Sequence, residues 1–221
     1  VAGKNGISGT ILSVASREDA SLVVMRSQPM SRLSSIFMEN TTTRILRRCT
    51  MRDMLIYPAN SAEKSGDMHG GPFIKNIFTR VLCPTDFSSF SSETLEWAAQ
   101  LDSVSEIILV HVIPARGPRE PRVSLLAAEQ KLAGMKSSLD RNDLKMTTIV
   151  GEGDPAREIG RIAGEQNASL ILMPRCGMGQ HINGGEIGNT VAAVANHLNR
   201  PLLVRRSRIR LHEETRKLPI K

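Results

Sequence analysis

The sequence predicts an α/β protein: a five-stranded parallel sheet with helices on both faces, preceded by an incomplete N-terminal copy of the same arrangement. Three observations carry that expectation. From residue 78 onward, short β-prone apolar runs alternate with segments of helical period, the pattern of a sheet covered on both sides. Aromatic residues make up only 3% of the chain against 40% hydrophobic residues, so the core has to be built from Ile, Leu, Val, Met and Ala. Finally, residues 11–25 (ILSVASREDASLVVM) align without a gap on residues 159–173 (IGRIAGEQNASLILM), an offset of 148.

The repeat extends backward, setting Gly3 on Gly151, and forward, where Met54-Leu-Ile-Tyr57 meets Leu202-Leu-Val-Arg205. Residues 1–58 therefore read as the second half of a unit whose complete copy follows. Residues 59–73, rich in small and polar side chains, read as a linker. The complete copy occupies residues 74–207, and a basic tail follows at 208–221.

Within the complete copy, residues 78–83 (FTRVLC) form a first buried strand that ends at Pro84-Thr85-Asp86. A Ser-rich turn then opens a helix through Leu95, Ala98, Ala99 and Leu101. Residues 107–112 are a second buried strand, and residues 124–139 a helix with Leu125, Ala128, Leu132 and Met135 at helical spacing. A third strand covers 146–150. Asp154 is a fit N-cap, and Pro155 suits the first helical position, where its missing N–H costs nothing. Ala156, Ile159, Ile162 and Ala163 form the apolar stripe of that helix. Residues 169–173 are a fourth strand, Val191, Val194, Ala195 and Leu198 mark another helix, and residues 201–205 are the last strand.

Composition narrows the function classes. The apolar runs are far shorter than the roughly 20 residues that span a bilayer, and no basic-then-apolar secretion signal is present. Cys49, Cys83 and Cys176 stand far apart with no CxxC, which fits a reducing cytoplasm better than a disulfide framework. The histidines are scattered and show no metal-ligand spacing. Net charge is +7 but sits at the ends: residues 205–221 carry seven basic residues against Glu213 and Glu214, and residues 1–60 carry eight against four acidic. The middle of the chain is slightly acidic. It is therefore not a nucleic-acid surface, and the tail reads as a solvated terminus.

Ligands of parallel α/β sheets bind beyond the carboxyl ends of the strands, near the switch in strand order. The sequence gathers Pro84, Thr85, Asp86, Val112 and Met173 there, with a glycine-rich stretch at 177–188 that includes Gly177 and Gly188. Asn189 and Thr190 then open a helix whose N-terminus favours an anion. Asp86 admits two roles: ligand contact, or a turn carboxylate accepting N–H bonds from the Ser88 region. Arg175 is a candidate phosphate partner, and His181 a residue of the loop. No Walker Gly-Lys-Ser/Thr, no Ser-Gly-Gly-x-Asp-Ser and no Gly-x-Ser-x-Gly elbow occurs, so no enzyme is expected.

Val81-Leu-Cys-Pro-Thr-Asp-Phe-Ser88 resembles the first strand and acidic turn of the universal stress protein family. Ile108-Leu-Val-His-Val112 resembles its second strand, and Gly151-Glu-Gly-Asp-Pro155 with Ala168-Ser-Leu-Ile-Leu-Met173 its later segments. The resemblance implies the adenine-nucleotide α-hydrolase-like arrangement, a regulatory rather than catalytic function, and a site for ATP or AMP, with Mg²⁺ only alongside nucleotide. ATP-binding members carry Gly-x2-Gly-x9-Gly-Ser/Thr after the fourth strand. Here Pro174 takes the first glycine's place, Gly177 the second and Gly188 the third, with ten residues between rather than nine; Asn189 replaces the hydroxyl residue, and Thr190 follows. Carried over, Asp86 and Val112 contact the adenine and ribose end, and Gly177, Gly188, Asn189 and Thr190 the phosphates; Pro84, Thr85 and Met173 belong to the same site. Two functions stay open: a nucleotide-sensing regulatory module, and a nucleotide-free dimerisation or interaction module of the same fold. The N-terminal copy has Arg26, Pro29 and Glu39 where the glycines belong, with Asn40-Thr41 mirroring Asn189-Thr190, and is not expected to bind nucleotide. Family members pair through their last strand. The resemblance therefore implies a homodimer or an intrachain pseudo-dimer in which residues 53–57 cover the sheet edge of the complete unit.

Overall fold

The computed structural model describes residues 6–27, 41–58, 76–115, 125–139, 143–178 and 187–206. The first of these segments hold α1 (Gly6–Arg17), β1 (Leu22–Arg26), α2 (Thr41–Arg48) and β2 (Asp53–Tyr57). The rest hold β3 (Arg80–Pro84), α3 (Ser89–Ala99), β4 (Glu106–Pro114), α4 (Leu125–Ser137), β5 (Lys145–Gly153), α5 (Pro155–Glu165), β6 (Leu170–Pro174), α6 (Asn189–Asn196) and β7 (Leu202–Arg205).

All strands join one seven-stranded sheet in the order β1-β2-β7-β6-β3-β4-β5. Strands β3 to β7 are the five parallel strands expected of the complete copy. The sheet is larger than five because β2 pairs antiparallel with β7 and carries β1 with it. Without that pairing, β7 would present a row of unpaired backbone groups. The register couples Met54 to Val204, Leu55 to Leu203 and Ile56 to Leu202. Leu55 thus faces the residue 148 positions further on, and a local two-fold axis passes between them.

Strand alternation sorts the apolar side chains to two faces. Leu82, Ile108, Val110 and Ile171 pack beneath residues of α1, α2, α5 and α6, while Val81, Ile107, Leu109 and Leu170 pack with residues of α3 and α4. The caps are those the sequence signals. Ser91 N donates to Ser88 Oγ (3.3 Å) ahead of α3, and Arg157 N to Asp154 Oδ1 (2.9 Å) ahead of α5, with Pro155 at the first helical position. The third strand of the complete copy runs beyond 150 to Gly153, because its pairing with β4 continues to Pro114 opposite Gly153.

The buried positions of α2 are Thr42, Thr43, Ile45 and Leu46; those of α6 are Val191, Ala192, Val194 and Ala195, each 149 residues later. The extra residue in the second loop therefore shifts that helix by one, while the strands on either side keep their spacing of 148. The two halves differ on one face. Leu170 and Leu172 are 0% and 1% exposed beneath α3, whereas Leu22 and Val24, at the matching positions of β1, are 41% and 57% exposed. Among the described residues, no helix lies over that face of β1.

Candidate functional site

Strand order reverses between β3 and β6, which opens a crevice at their carboxyl ends. Beyond β3, Thr85 N donates to Val110 O (2.7 Å) and so continues the ladder by one step. The Thr85 hydroxyl accepts from Phe87 N (2.9 Å) and lies 2.9 Å from Ser91 Oγ, while its carbonyl lies 2.9 Å from His111 Nδ1. Thr85 is thus consumed in shaping the turn. Phe87 takes φ +64, a left-handed backbone that bulky residues rarely adopt. Its N–H bond to Thr85, its ring against His111 (centroids 4.3 Å apart) and Lys131 Nζ 5.0 Å from the ring centre hold it there.

This turn fixes the Asp86 carboxylate. Oδ1 accepts from Ser88 N (3.0 Å), and Oδ2 accepts from Met178 N (2.7 Å), across from the end of β6. The loop comes this close because residue 177 is glycine: a Cβ there would fall inside contact distance of Asp86 Oδ2. Burial pushes the Asp86 carboxyl up. The Ser88 hydroxyl, the N–H groups of Met178 and Ser88 and the Ser91 hydroxyl outweigh that and hold its pKa below the ordinary value. Both carboxylate oxygens are thus engaged by backbone N–H groups.

Val112 and Met173 share one apolar cluster with Ile187 and Val191, on the sheet face beneath α5 and α6. Pro84 ends β3 and is half-buried. Gly188 is the N-cap residue of α6, offers no side-chain cap, and donates its N–H to Arg175 O (2.9 Å). Asn189 and Thr190 occupy the first turn of α6, where backbone N–H groups have no partner within the helix and the helix dipole favours an anion. The glycine-rich stretch at 179–186, with His181, and the N-terminal loop residues Pro29, Glu39 and Asn40 lie outside the described residues.

The Asp86 turn, the start of the loop after β6 and the N-terminus of α6 thus meet at the carboxyl edge of the sheet. A family model described as the universal stress protein family matches residues 78–206. The chain belongs to the universal stress protein family. Among solved structures, a universal stress protein from Archaeoglobus fulgidus DSM 4304 is similar at a TM-score of 0.60 and 20% identity, covering 88% of this chain and 64% of its own. A chain given as a universal stress protein from Pseudomonas aeruginosa UCBPP-PA14 has a TM-score of 0.55 and 17% identity, covering 91% of this chain and 68% of its own. These two matches speak for the fold alone. The hypothetical protein MJ0577 is 26% identical over 58% of this chain and 95% of its own, with a TM-score of 0.49. No curated protein matches the chain.

Within this universal stress protein, Arg175 lies elsewhere than a phosphate partner would. Its guanidinium turns away from the crevice: Nη1 donates to Leu46 O (2.6 Å) and Cys49 O (2.9 Å), and Nη2 to Arg47 O. The side chain is only 5% exposed, so the guanidinium caps the end of α2 instead of reaching a ligand. Sequence spacing contains no signal for that contact, nor for the Met178 N–H on Asp86, since both join segments far apart in the chain. Burial pushes the Cys83 thiol up to about 12, and raises those of Cys49 and Cys176 as well. Among the described residues, no group of His, Cys, Asp or Glu could hold a metal ion, and no helix is long and apolar enough to cross a membrane.

Proposed function

We propose that this chain is a regulatory, non-catalytic universal stress protein module. Its complete unit takes ATP or AMP along the carboxyl ends of β3, β4 and β6, and its N-terminal segment pairs with that unit in place of a second one. The observation that carries the reading is the convergence, at one switch in strand order, of the Asp86 carboxylate, the apolar residues Val112 and Met173, and the N-terminus of α6, whose N-cap residue Gly188 has no side chain to cap it. Those groups suit the two ends of an adenine nucleotide: an acceptor and apolar contacts for the nucleoside, and N–H groups at Asn189 and Thr190 for phosphate. Mg²⁺ would enter only with the nucleotide. The pairing reading rests on the β2–β7 register, which is symmetric about Leu55 and Leu203.

A second reading, a nucleotide-free interaction module, draws support from Asp86 itself, whose two oxygens are already bonded to backbone N–H groups. Thermal melting with ATP–Mg²⁺ or AMP separates the two. Ligand at 100 times its dissociation constant adds about 2.7 kcal/mol, or about 5–10 °C for a chain of this size. A shift in the wild type that is lost in Asp86→Ala supports the first reading. No shift at millimolar nucleotide in either protein rejects it in favour of the second.

A further inference from the structure

We propose that Arg175 is a positioning residue that ties the phosphate end of the site to the docking of α2, so that the N-terminal segment sets how well the complete unit binds its ligand. The ligand part of this inference rests on the nucleotide reading above; the coupling itself does not.

The residue belongs to two places at once. Its backbone is part of the site: Arg175 N donates to Arg205 O (3.0 Å), and Arg175 O accepts from Gly188 N (2.9 Å), which fixes where α6 begins. Its side chain belongs to the other half of the molecule, where it collects the carbonyls of Leu46, Arg47 and Cys49. Carbonyls in the last turn of a helix have no intrahelical partner and form the negative end of its dipole, so a buried cation is a fitting cap. Burial pulls the guanidinium's pKa below its ordinary value, and the three carbonyls supply hydrogen bonds in place of the solvent it has lost.

A displacement of α2 must therefore either break three charge-assisted bonds or drag residue 175, and with it the Gly188 N–H and the Cys176–Gly177–Met178 turn clasped to Asp86. The device is one-sided. Position 27, which matches 175 at the repeat offset, is Ser27, whose side chain is too short to reach the end of α6 in the same way. The complete unit's loop thus senses α2, while α6 is not held in return by the same contact. Arg175 makes no contact with a ligand in this scheme and acts through its own backbone.

The test uses the full chain as wild type, Arg175→Lys and Arg175→Ala, with Leu132→Ala as a control that weakens the core beneath α4 without touching either segment. Amide hydrogen exchange is read without nucleotide, and affinity for ATP–Mg²⁺ by calorimetry. The expected result is faster exchange both in residues 46–50 and at Gly188 in Arg175→Ala, with affinity lowered at least about fivefold, the low end of ordinary coupling. Arg175→Lys, which keeps the charge but loses the fork, should fall between. Leu132→Ala should leave exchange at Gly188 and the affinity unchanged despite its lower melting temperature. Faster exchange confined to residues 46–50, with Gly188 at the wild-type rate, overturns the proposal whatever the nucleotide result. Coupling at Gly188 without any ATP binding by the wild type would instead sink the nucleotide reading and leave the coupling standing. If Arg175→Ala fails to fold, exchange at Gly188 in Arg175→Lys decides: a wild-type rate overturns the coupling.

Discussion

Replacing Gly177 by alanine asks whether the loop after β6 is held on Asp86. The three atoms nearest the new Cβ would all belong to Asp86: Oδ2 inside contact distance, Cγ at 3.1 Å and Oδ1 at 3.7 Å. Gly177 is not among the glycines with positive φ, so the cost arises from that contact and not from backbone strain. Relief requires the loop to lift, which takes the Met178 N–H off Oδ2. A hydrogen bond to a charged group contributes about 1.5–3 kcal/mol, and partial exposure of Asp86 favours the low end, about 1.5 kcal/mol. For a chain of this size each kcal/mol moves Tm by about 2–4 °C, so Gly177→Ala should melt about 3–6 °C lower. Asp86→Ala removes the same bond and also strands the Ser88 N–H, so it should fall further. In the double variant the obstructing atoms are gone, and adding Gly177→Ala to Asp86→Ala should cost less than about 0.5 kcal/mol. Circular dichroism melts of the four proteins read the cycle. An equal cost for Gly177→Ala in both backgrounds would refute the contact.

The cycle also has a pH signature with a definite sign. The folded-state pKa of Asp86 lies below its ordinary value of 3.8. Its stabilisation is therefore complete above that value and disappears as pH falls through the folded-state pKa. The stability gap between wild type and Asp86→Ala should be flat near neutral pH and close below about pH 4. A gap that widened towards acid would mean that the carboxyl binds the loop in its protonated form.

Two further outcomes follow from the unequal halves. Leu172→Ala should cost about 2–5 kcal/mol, because the side chain is fully buried beneath α3; Val24→Ala, at the matching position of β1, should cost under about 0.5 kcal/mol in urea unfolding of the same chain. In native protein, a maleimide should modify Cys176, which is partly exposed, well before the buried Cys49 and Cys83, and ATP–Mg²⁺ should slow the reaction at Cys176; mass spectrometry of the labelled peptides checks both.

The strands and helices were legible because each has a local cause. Asp154-Pro155 starts a helix through one side-chain bond and one missing N–H, and the run Ile107-Ile-Leu-Val makes a strand buried on both faces through composition alone. The pairing edge was legible for a different reason: a sequence that repeats at 148 has a matching strand to offer, and residues 53–57 sit where that strand falls. The site was legible only in part. Its residues cluster because the ends of parallel strands do, which the order of elements dictates. Which of them bond to one another depends on loop geometry that no spacing encodes. Thr85 illustrates the point, since its hydroxyl serves Phe87 and Ser91 instead of facing the crevice. Arg175 illustrates it more sharply, because an arginine beside a glycine-rich loop suggests phosphate, yet the side chain ends on carbonyls more than 120 residues earlier in the chain.

That placement of Arg175 is difficult to account for by stability alone. Taking a guanidinium out of water costs several kcal/mol even after relaxation, and an apolar side chain of similar volume often serves stability as well or better. The two halves already have other means of holding together: the β2–β7 ladder, the packing of α2 against α6, and the bond from Thr43 Oγ1 to Asn196 Oδ1 (2.8 Å). An apolar residue at 175 could fill the space. It could not fix the rotation of α2 about its own axis, because only a planar donor can require the directions of three carbonyls, those of Leu46, Arg47 and Cys49, at once. Adhesion is therefore supplied by the sheet and the helix faces, and register by the arginine. Register is also the quantity that matters at the crevice, where the Gly188 N–H and the Met178 N–H are placed by the same short stretch of backbone that carries Arg175.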